Sequence, residues 1–435
     1  MAVASLAQGT RLMSRADRIV AALDVGSAKV AALIAAVGPE GPPRVLGAGV
    51  RACGGVKRGL VADMEKTEAA IRAAVMQAEK GAGIEVESVI VNISAGGLGS
   101  DVASVEIDIA GHRITDEDIG TLLAAGRHRI ERDFSPAGRT ILHGEPTLYT
   151  VDGLDGVTNP RGFHADRLAV DIHVVSAATP PCRNLDLAVR NAHLGVERMV
   201  ASGVAASLAV LNEEERELGV AVIELGAGIT TVSLHGGGML AALHAIPIGA
   251  ADITADIAAS FATTRAVAER MKTLHGAASA VPRDNHETIE IPPLDPDEPS
   301  DGRRVSRAEM IAVIRARLDR IFAEAGETLE AMGFSGPAGR QVVLTGGGAE
   351  LRGIADFAAM ALGRQVRIGR PRGLAGLPDA QSGAAFASLV GLVLHGATPR
   401  LDLARMPGPL SRPGSAMQTQ AGVLQRLIAT LRRQF

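Results

Sequence analysis

The sequence predicts an α/β protein of two or more domains, in which helices pack on buried sheets. The chain has 435 residues, enough for at least one large core. Its composition is 47% apolar but only 2% aromatic, so Ala, Val, Ile and Leu must fill the cores. A strand, a glycine turn and a second strand occur near residue 20, and this pattern recurs about 200 residues later. The recurrence indicates two domains of related design.

The first part of the chain predicts a leader, strands and a helix. Residues 1–17 are interpreted as a disordered leader. Residues 18–37, RIVAALDVGSAKVAALIAAV, hold two apolar, β-branched runs around a Gly-Ser turn and predict a buried hairpin. Residues 63–83 have helical spacing, an acidic start and a glycine stop. Residues 86–96, VESVIVNISAG, predict another strand.

A more polar segment follows and is interpreted as an inserted subdomain over residues 87–166. It contains a short predicted helix at 114–133 and turn-rich strand material at 146–163. Apolar patterns then return as a strand at 167–177 and a helix at 183–196.

The second half begins with the repeated hairpin at residues 219–243. Residues 281–306 are rich in Pro and charge and predict an exposed connector. A long helix is predicted at 307–332, a strand running into glycines and a helix at 341–362, and an apolar helix at 383–396.

The bulk chemistry excludes several classes of function. A formal charge of −4 gives no electrostatic footprint for nucleic acid. Cys53 and Cys182 stand in unrelated contexts, which argues against a disulfide framework or a zinc site and favours a reducing cytosol. The chain has neither an apolar secretory signal nor an apolar run near the ~20 residues that cross a bilayer.

The C-terminal end predicts a flexible linker and an amphipathic helix. Residues 399–420 are rich in Pro, Gly and Ser, and residues 421–435 read AGVLQRLIATLRRQF. On a helix, the apolar residues of this stretch fall within an arc of roughly 140°, flanked by arginines. This pattern favours a helix lying among lipid headgroups, although a helix docked on the protein's own core is the alternative. The predicted membrane residues are Val423, Leu424, Arg426, Leu427, Ile428, Leu431, Arg432, Arg433 and Phe435.

The two hairpins contain the residues for which a chemical function is predicted. In LDVGSAKV and IELGAGIT, an acid ends a buried strand and a glycine follows two residues later, so Asp24 and Gly26 match Glu224 and Gly226. Glycine and small residues let backbone N–H groups approach a phosphate. The carboxylates would hold a hydrated Mg²⁺ against that phosphate. Two such turns facing each other would clamp a triphosphate; two ordinary hairpins are the alternative.

A third element, VVLTGGGAELRGI, strengthens this interpretation. A buried strand runs into Gly346, Gly347 and Gly348 and then into a helix, an arrangement in which backbone can lie against a nucleotide. It matches neither a P-loop nor a Rossmann fingerprint. The ordered set of hairpin, hairpin and glycine strand is more specific than any one member.

These motifs together resemble the actin, hexokinase and DnaK-type ATPase superfamily and, within it, the FtsA family of bacterial cell-division proteins. The resemblance covers residues 18–435 and rests on GSAKVAALI, LGVERMVASGVAASLAVLNEEERELGVAVIELG, HAIPIGAADITADIA, LTGGGAELRGIADFA and LRRQF. It implies an actin-like ATPase fold of two duplicated mixed-sheet domains around a nucleotide cleft, with an inserted subdomain 1C instead of the usual 1B. The implied subdomains are 1A (18–86, 167–202 and 386–398), 1C (87–166), 2A (203–253 and 340–385) and 2B (254–339).

The resemblance also implies a site for ATP and Mg²⁺. Lys29 would lie near the terminal phosphates, Gly346 to Gly348 would support the adenosine, and Glu269 and Lys272 would reach the ribose or else form an exposed ion pair. Asp24 and Glu224 would hold the metal through water. The two phosphate loops would comprise Asp24, Gly26, Ser27, Ala28 and Lys29, and Glu224, Gly226, Ala227, Gly228, Ile229 and Thr230.

Two departures from the family pattern affect the expected activity. Glu224 replaces the usual Asp of the second loop, and Ala227 replaces its middle Gly. The connecting helix, GVAASLAVL from Gly203, offers no acid or amide to orient an attacking water. We therefore expect ATP binding with weak or no hydrolysis.

The implied function is that of a peripheral protein on the cytoplasmic face of the cell membrane at the division site. It would self-associate into filaments, bind the C-terminal peptide of FtsZ through Arg315 and Arg317 of subdomain 2B, bind anionic lipid and recruit later division proteins. An MreB-type or PilM-type scaffold is one alternative, and a sugar kinase or DnaK-like ATPase is another. No nucleic-acid partner is expected.

Overall fold

The computed structural model describes residues 17–95, 97–134, 137–292, 303–334 and 341–405. The predicted leader up to residue 16, the linker from residue 406 and the whole predicted membrane helix lie outside the described residues. Among the residues that are described, no helix is both long and apolar enough to cross a membrane. Cys53 and Cys182 are buried free thiols.

The described residues form strands and helices in alternation. The strands are β1 Arg18–Val25, β2 Lys29–Val37, β3 Arg44–Ala52, β4 Val56–Lys57, β5 Leu60–Val61, β6 Ser88–Ile93, β7 Gly99–Asp108, β8 Arg139–Val151, β9 Leu154–Val157, β10 Arg167–Ala178, β11 Gly195–Ala201, β12 Val220–Leu225, β13 Thr230–Gly236, β14 Met239–Ile246, β15 Thr288–Glu290, β16 Arg304–Ser306, β17 Gln341–Thr345 and β18 Gln365–Ile368. The helices are α1 Met64–Ala82, α2 Asp116–Phe134, α3 Thr179–Asn191, α4 Ser202–Val210, α5 Glu213–Leu218, α6 Ala250–Ser260, α7 Arg265–His275, α8 Arg307–Ala331, α9 Ile354–Leu362 and α10 Ala387–Ala397.

The two halves of the protein contain sheets of the same design. The first sheet has the order β11-β6-β1-β2-β3, and the second contains β18-β17-β12-β13-β14. In both, the first three strands are parallel and the last two are antiparallel. The central hairpin strands are almost wholly buried, which explains their continuous apolar sequence. The predicted duplication is therefore confirmed.

The inserted subdomain is an antiparallel sheet of β7, β10, β8 and β9 covered by α2. It joins the second sheet through one residue pair, Gly99 with His244. The predicted start at residue 87 is too early, because β6 lies between β1 and β11 in the first sheet. The predicted end at 166 is too early as well, because β10 pairs along its length with β7 and β8. The apolar strands β6 and β10 at its two ends made the insertion appear to begin and end earlier in the sequence than it does.

Helices α4 and α10 cross between the two halves. Helix α10 packs on β1, β2 and β6, and α4 packs on β12, β13 and β17. A Cβ on Gly391 would lie 1.7 Å from the carbonyl oxygen of Ala205, so the two backbones meet where only glycine fits. These two helices therefore join the two halves by close packing.

The predicted exposed connector is partly a packed element. Ile289 and Ile291 are buried, and β15 pairs with β16. The guanidinium of Arg307 lies 2.6 Å from the buried carboxylate of Asp284. Alternation of Pro and charge hid these apolar anchors in the sequence.

The predicted linker starts later than residue 399. A segment that we name the strap, residues 399–405, returns from α10 to the inserted subdomain. Its Leu403 is fully buried in the core of that subdomain. The Asp402 carboxylate accepts hydrogen bonds from the backbone N–H groups of Gly144 (2.8 Å) and Ala404 (3.0 Å).

If the strap is docked as described, Leu403→Ala should destabilise the protein by about 2 to 5 kcal/mol, because the side chain leaves a cavity in a closed core. Leu401→Ala, at an exposed neighbour, is the matched control and should change stability by less than about 0.5 kcal/mol. Urea unfolding and the rate of tryptic cleavage after Arg405 measure both effects. Equal values for the two variants would contradict docking.

Candidate functional site

The two hairpin turns have the same local geometry. Gly26 N–H donates to the Lys29 carbonyl at 2.9 Å, and Gly226 N–H donates to the Ile229 carbonyl at 2.9 Å. In each case a tight turn joins the two central strands of a sheet. The similarity predicted from the sequence therefore extends to the backbone.

The two turns also face each other. A Cβ on Gly228 would lie 2.9 Å from the Ser27 hydroxyl oxygen and 2.9 Å from the Cα of Arg58. The Ser27 hydroxyl in turn accepts a hydrogen bond from Gly59 N–H at 3.0 Å. The structure thus brings both predicted loops together and adds a third turn, between β4 and β5.

Arg58 links the two halves at this point and was not predicted. Its guanidinium donates to the Pro247 carbonyl at 2.7 Å and to the Asp252 carboxylate at 3.1 Å. Asp252 also accepts from Gly249 N–H at 2.9 Å, where α6 begins. No sequence pattern indicates this contact, since a single arginine in a short turn is an ordinary surface feature.

Helix α6 supports the second loop from behind. The N–H groups of Ala250 and Ala251 donate to the carbonyls of Gly226 and Ala227 at 2.9 and 2.7 Å. These bonds satisfy donors at the start of the helix and acceptors of the loop. The loop is therefore fixed on both sides.

Asp24 and Glu224 are buried carboxyl groups at the ends of β1 and β12. Burial raises the pKa of Asp24 to about 6, against the opposing charge of Lys29. Burial raises the pKa of Glu224 to about 7; the hydrogen bond that the Ser388 hydroxyl donates lowers it, and the charge of Asp24 raises it further. The two groups therefore lie close enough to repel each other.

The carboxyl pair fits a hydrated cation. Glu224 Oε2 is buried and has no hydrogen-bond partner among the described residues. An oxygen of this kind suits Mg²⁺, which keeps several waters and takes only one or two carboxylates. Within the described part of the chain, no cluster of three or more His, Cys, Asp or Glu side chains could bind a metal. A metal here would depend on the two carboxylates, water and a further ligand.

Lys29 occupies the same cleft. Its ammonium donates to the Ala385 carbonyl at 2.8 Å and lies 3.4 Å from the centre of the Phe386 ring. Burial lowers the pKa of Lys29, while the charges of Asp24 and Glu350 raise it. Phe386 was not predicted to belong to the site, because an aromatic residue before an apolar helix normally indicates core.

The glycine strand differs from its predicted form. Gly346 has a φ of 85°, and a Cβ there would lie 2.6 Å from the Leu225 carbonyl oxygen, so the glycine permits close packing against the end of β12. Gly347–Glu350 form a 3₁₀ turn, and α9 begins only at Ile354. The α-helix predicted to follow the glycines directly is therefore displaced. The adenosine role of Gly346, Gly347 and Gly348 stays a prediction.

Glu269 and Lys272 form the predicted pair on α7, 2.8 Å apart. Both also contact Thr254 of α6: its hydroxyl donates to Glu269 and accepts from Lys272 at 2.8 Å. Lys272 further donates to the Ala250 carbonyl at 3.1 Å, next to the second loop. The pair thus connects α7 to the site, and contact with a ribose stays a prediction.

The predicted partner residues lie on α8. Arg317 forms a two-pronged ion pair with Asp256, at 2.6 and 2.7 Å. Arg315 is exposed, with its guanidinium carbon 5.9 Å from the Phe357 ring centre. Because Arg317 is already paired, Arg315 is the more available of the two for an acidic ligand.

Comparisons with known proteins identify relatives of this chain. The family model described as cell division protein FtsA matches residues 221–391, and that of the SHS2 domain inserted in FtsA matches residues 96–176. The second range agrees with the corrected bounds of the insertion. Cell division protein FtsA of Rhizobium meliloti is 38% identical over 394 residues, covering 88% of each chain. Its counterpart in Escherichia coli K12 is 30% identical over 389 residues, covering 88% of this chain and 92% of the relative.

Solved structures share the fold at lower sequence identity. The PilM–PilN type IV pilus biogenesis complex contains a chain with a TM-score of 0.62 and 19% identity, covering 87% of this chain and 99% of that chain. MreB5 of Spiroplasma citri, bound to ADP, gives a TM-score of 0.50 and 12% identity, covering 87% and 95%. Together with the duplicated sheets, these similarities confirm the predicted actin-like fold.

The raised pKa of Glu224 predicts a pH-dependent effect of Glu224→Gln. Because the folded-state pKa of about 7 exceeds the ordinary 4.5, ionisation of this group does not affect stability below pH 4.5, destabilises the folded state progressively between pH 4.5 and 7, and has its full effect above pH 7. At pH 8.5 without nucleotide, the variant should be more stable than the parent by up to about 3 kcal/mol.

Thermal and urea unfolding at pH 5 and pH 8.5 measure this difference, which should be small at pH 5. Glu214→Gln, at an exposed carboxyl, is the control and should show no such pH dependence. A Glu224→Gln variant that is less stable at pH 8.5 would show that the ionised carboxylate is satisfied inside the protein.

Proposed function

The chain belongs to the FtsA family and is a cell-division homologue of actin, and on this basis we propose that it binds ATP, assembles on the membrane and holds FtsZ there. The family relationship, at 30 to 38% identity over most of the chain, favours this role over an MreB-type or PilM-type scaffold. Likeness to those proteins extends to the fold alone. The relatives reported above and the described residues give no further support to the alternative of a sugar kinase.

One observation carries the nucleotide part of the proposal: two glycine turns face each other, and a buried carboxyl group stands behind each. Backbone N–H groups of the turns would bind phosphates. Asp24 and Glu224 would hold Mg²⁺ through water, and the ion would neutralise phosphate charge. Lys29 would exchange its contacts with Ala385 and Phe386 for a terminal phosphate.

Slow hydrolysis is part of the same proposal. The sequence of α4, SGVAASLAV, has no carboxylate or amide to orient water. The nucleotide would therefore act chiefly as a ligand that joins the two halves, next to the Arg58–Asp252 contact. A closed cleft would favour filament contacts.

The membrane part rests on the sequence of residues 421–435. A single amphipathic helix of this length would bind anionic lipid weakly and reversibly. In a filament, each further tail binds at a high effective concentration, so attachment would depend on assembly. The inserted subdomain would contact neighbouring subunits and later division proteins, and α8 would bind the FtsZ peptide.

Gly228→Ala should weaken Mg-ATP binding by about tenfold or more, which corresponds to about 1.4 kcal/mol. The added methyl group lies 2.9 Å from Arg58 Cα and prevents the two turns from closing on a phosphate. Gly120→Ala, where no atom lies within 4 Å of the new Cβ, is the matched control and should bind normally. Isothermal titration measures both affinities. Equal affinities would show that the two turns do not form part of the nucleotide site.

Cosedimentation with anionic vesicles tests the tether. The intact chain should pellet with lipid, more strongly with Mg-ATP, whereas a chain truncated after Gln420 should stay in solution. The same assay with the FtsZ C-terminal peptide tests the partner: Arg315→Glu should reduce peptide recruitment without changing lipid binding. If truncation leaves pelleting unchanged, the tail is not the anchor and the membrane part of the proposal is wrong.

A further inference from the structure

A polar cavity lies apart from the nucleotide cleft, where the inserted subdomain meets the second half. It has a volume of about 100 Å³. Its walls come from β8 and β10 of the insertion, from α4 and α5, from β13 and β14, and from Arg400 of the strap. The proposed nucleotide function makes no use of this space, because the cleft is formed at the other end of β13, where Thr230 follows the second loop.

Buried polar atoms without partners surround the cavity. They are His173 Nε2 on β10, His235 Nε2 on β13, Arg216 Nε on α5 and His143 Nδ1 on β8. His173 is 3% exposed and His235 is 6% exposed. Buried polar groups in folded proteins are almost always hydrogen-bonded, so four unsatisfied groups on four elements indicate that something polar occupies the space.

The charge around the cavity indicates the sign of that ligand. Arg216 and Arg400 line it, and Glu145 is its one acidic side chain among the described lining residues. Burial raises the pKa of Glu145, and the charge of Arg400 lowers it. The Arg400 guanidinium is 3.9 Å from Glu145, close enough for an ion pair but too far for a hydrogen bond. Two arginines therefore face one carboxyl group, which leaves the lining net positive.

The histidines supply neutral hydrogen-bonding groups. Burial lowers the pKa of His173 to about 4, with a smaller effect of His143, and lowers that of His235 to about 3, with smaller effects of Arg216 and Arg400. Neutral imidazole can donate one N–H to a ligand oxygen. His143 Nε2 accepts from Ala201 N–H at 3.1 Å, so the proton of His143 is on Nδ1, which has no hydrogen-bond partner among the described residues.

The cavity is larger than a single structural water requires. One water needs roughly 10 to 15 Å³ of such space, so the cavity exceeds that requirement several times. A tetrahedral oxyanion offers four acceptors, and arginine and histidine N–H groups are its usual ligands.

We propose that this cavity is a binding site for a small tetrahedral oxyanion of the inorganic phosphate type, held by Arg216, His173 and His235. Bound there, the anion would join the insertion to the second half, because its ligands come from both. It would thereby fix the orientation of the insertion. The proposal does not depend on nucleotide binding in the cleft.

Crystals of the full chain soaked in selenate locate the anion directly. We expect an anomalous selenium peak in the cavity, within hydrogen-bond distance of Arg216 Nε, His173 Nε2 and His235 Nε2. Ordered water alone at this place, with or without selenium elsewhere, would overturn the proposal.

Titration of the full chain with inorganic phosphate provides the solution measurement. Arg216→Met should weaken phosphate binding in the cavity by at least tenfold, and Arg216→Lys should weaken it less. Arg216 is half-buried, and its guanidinium also donates to the Ser207 carbonyl at 3.0 Å. His173→Gln tests a second wall, and His244→Gln, at an exposed histidine, is the matched control that should bind like the parent. Any phosphate bound in the nucleotide cleft would be common to all these proteins. Identical titrations of the parent and Arg216→Met would refute the site.

Discussion

At the centre of the molecule, Gly228 approaches Ser27 and Arg58 so closely that no side chain fits between the two halves. This approach is possible because each half ends its central strand in a glycine turn with the same hydrogen bond. The sheets, the crossing helices α4 and α10, and the Arg58–Asp252 contact all bring the turns to this position. A small separation of the two halves would therefore change the geometry of the site before it changed the packing of any hydrophobic core.

The buried carboxyl groups give this contact an electrostatic cost. Asp24 and Glu224 lie at equivalent positions of two sheets, and the charge of Asp24 makes ionisation of Glu224 harder. Ser388, at the start of α10, donates to Glu224, so one of the two crossing helices begins at this carboxyl group. A cation between the carboxylates would relieve the repulsion, which links ligand binding to the relative position of the halves.

The sequence predicted those parts of the structure that depend on neighbouring residues. Both hairpins, the long helices and the Glu269–Lys272 pair follow from local patterns and are present. Contacts between distant segments were missed: Arg58 with Asp252, Lys29 with Phe386, and Leu403 in the core of the insertion. The insertion was misplaced because β6 and β10 are apolar strands, and an apolar strand does not indicate which sheet it joins.

The strap determines how a force on the C-terminal region would reach the rest of the protein. Because Leu403 and Asp402 are held by the inserted subdomain, any force on the chain beyond Arg405 acts first on that subdomain and only then on α10. Arg400 of the same strap lines the polar cavity at the joint between the insertion and the second half. If the tail binds lipid as proposed, attachment would therefore act on the element that is proposed to contact neighbouring subunits. Anchoring and assembly would then be coupled through one small subdomain, with no need for a signal through the nucleotide cleft.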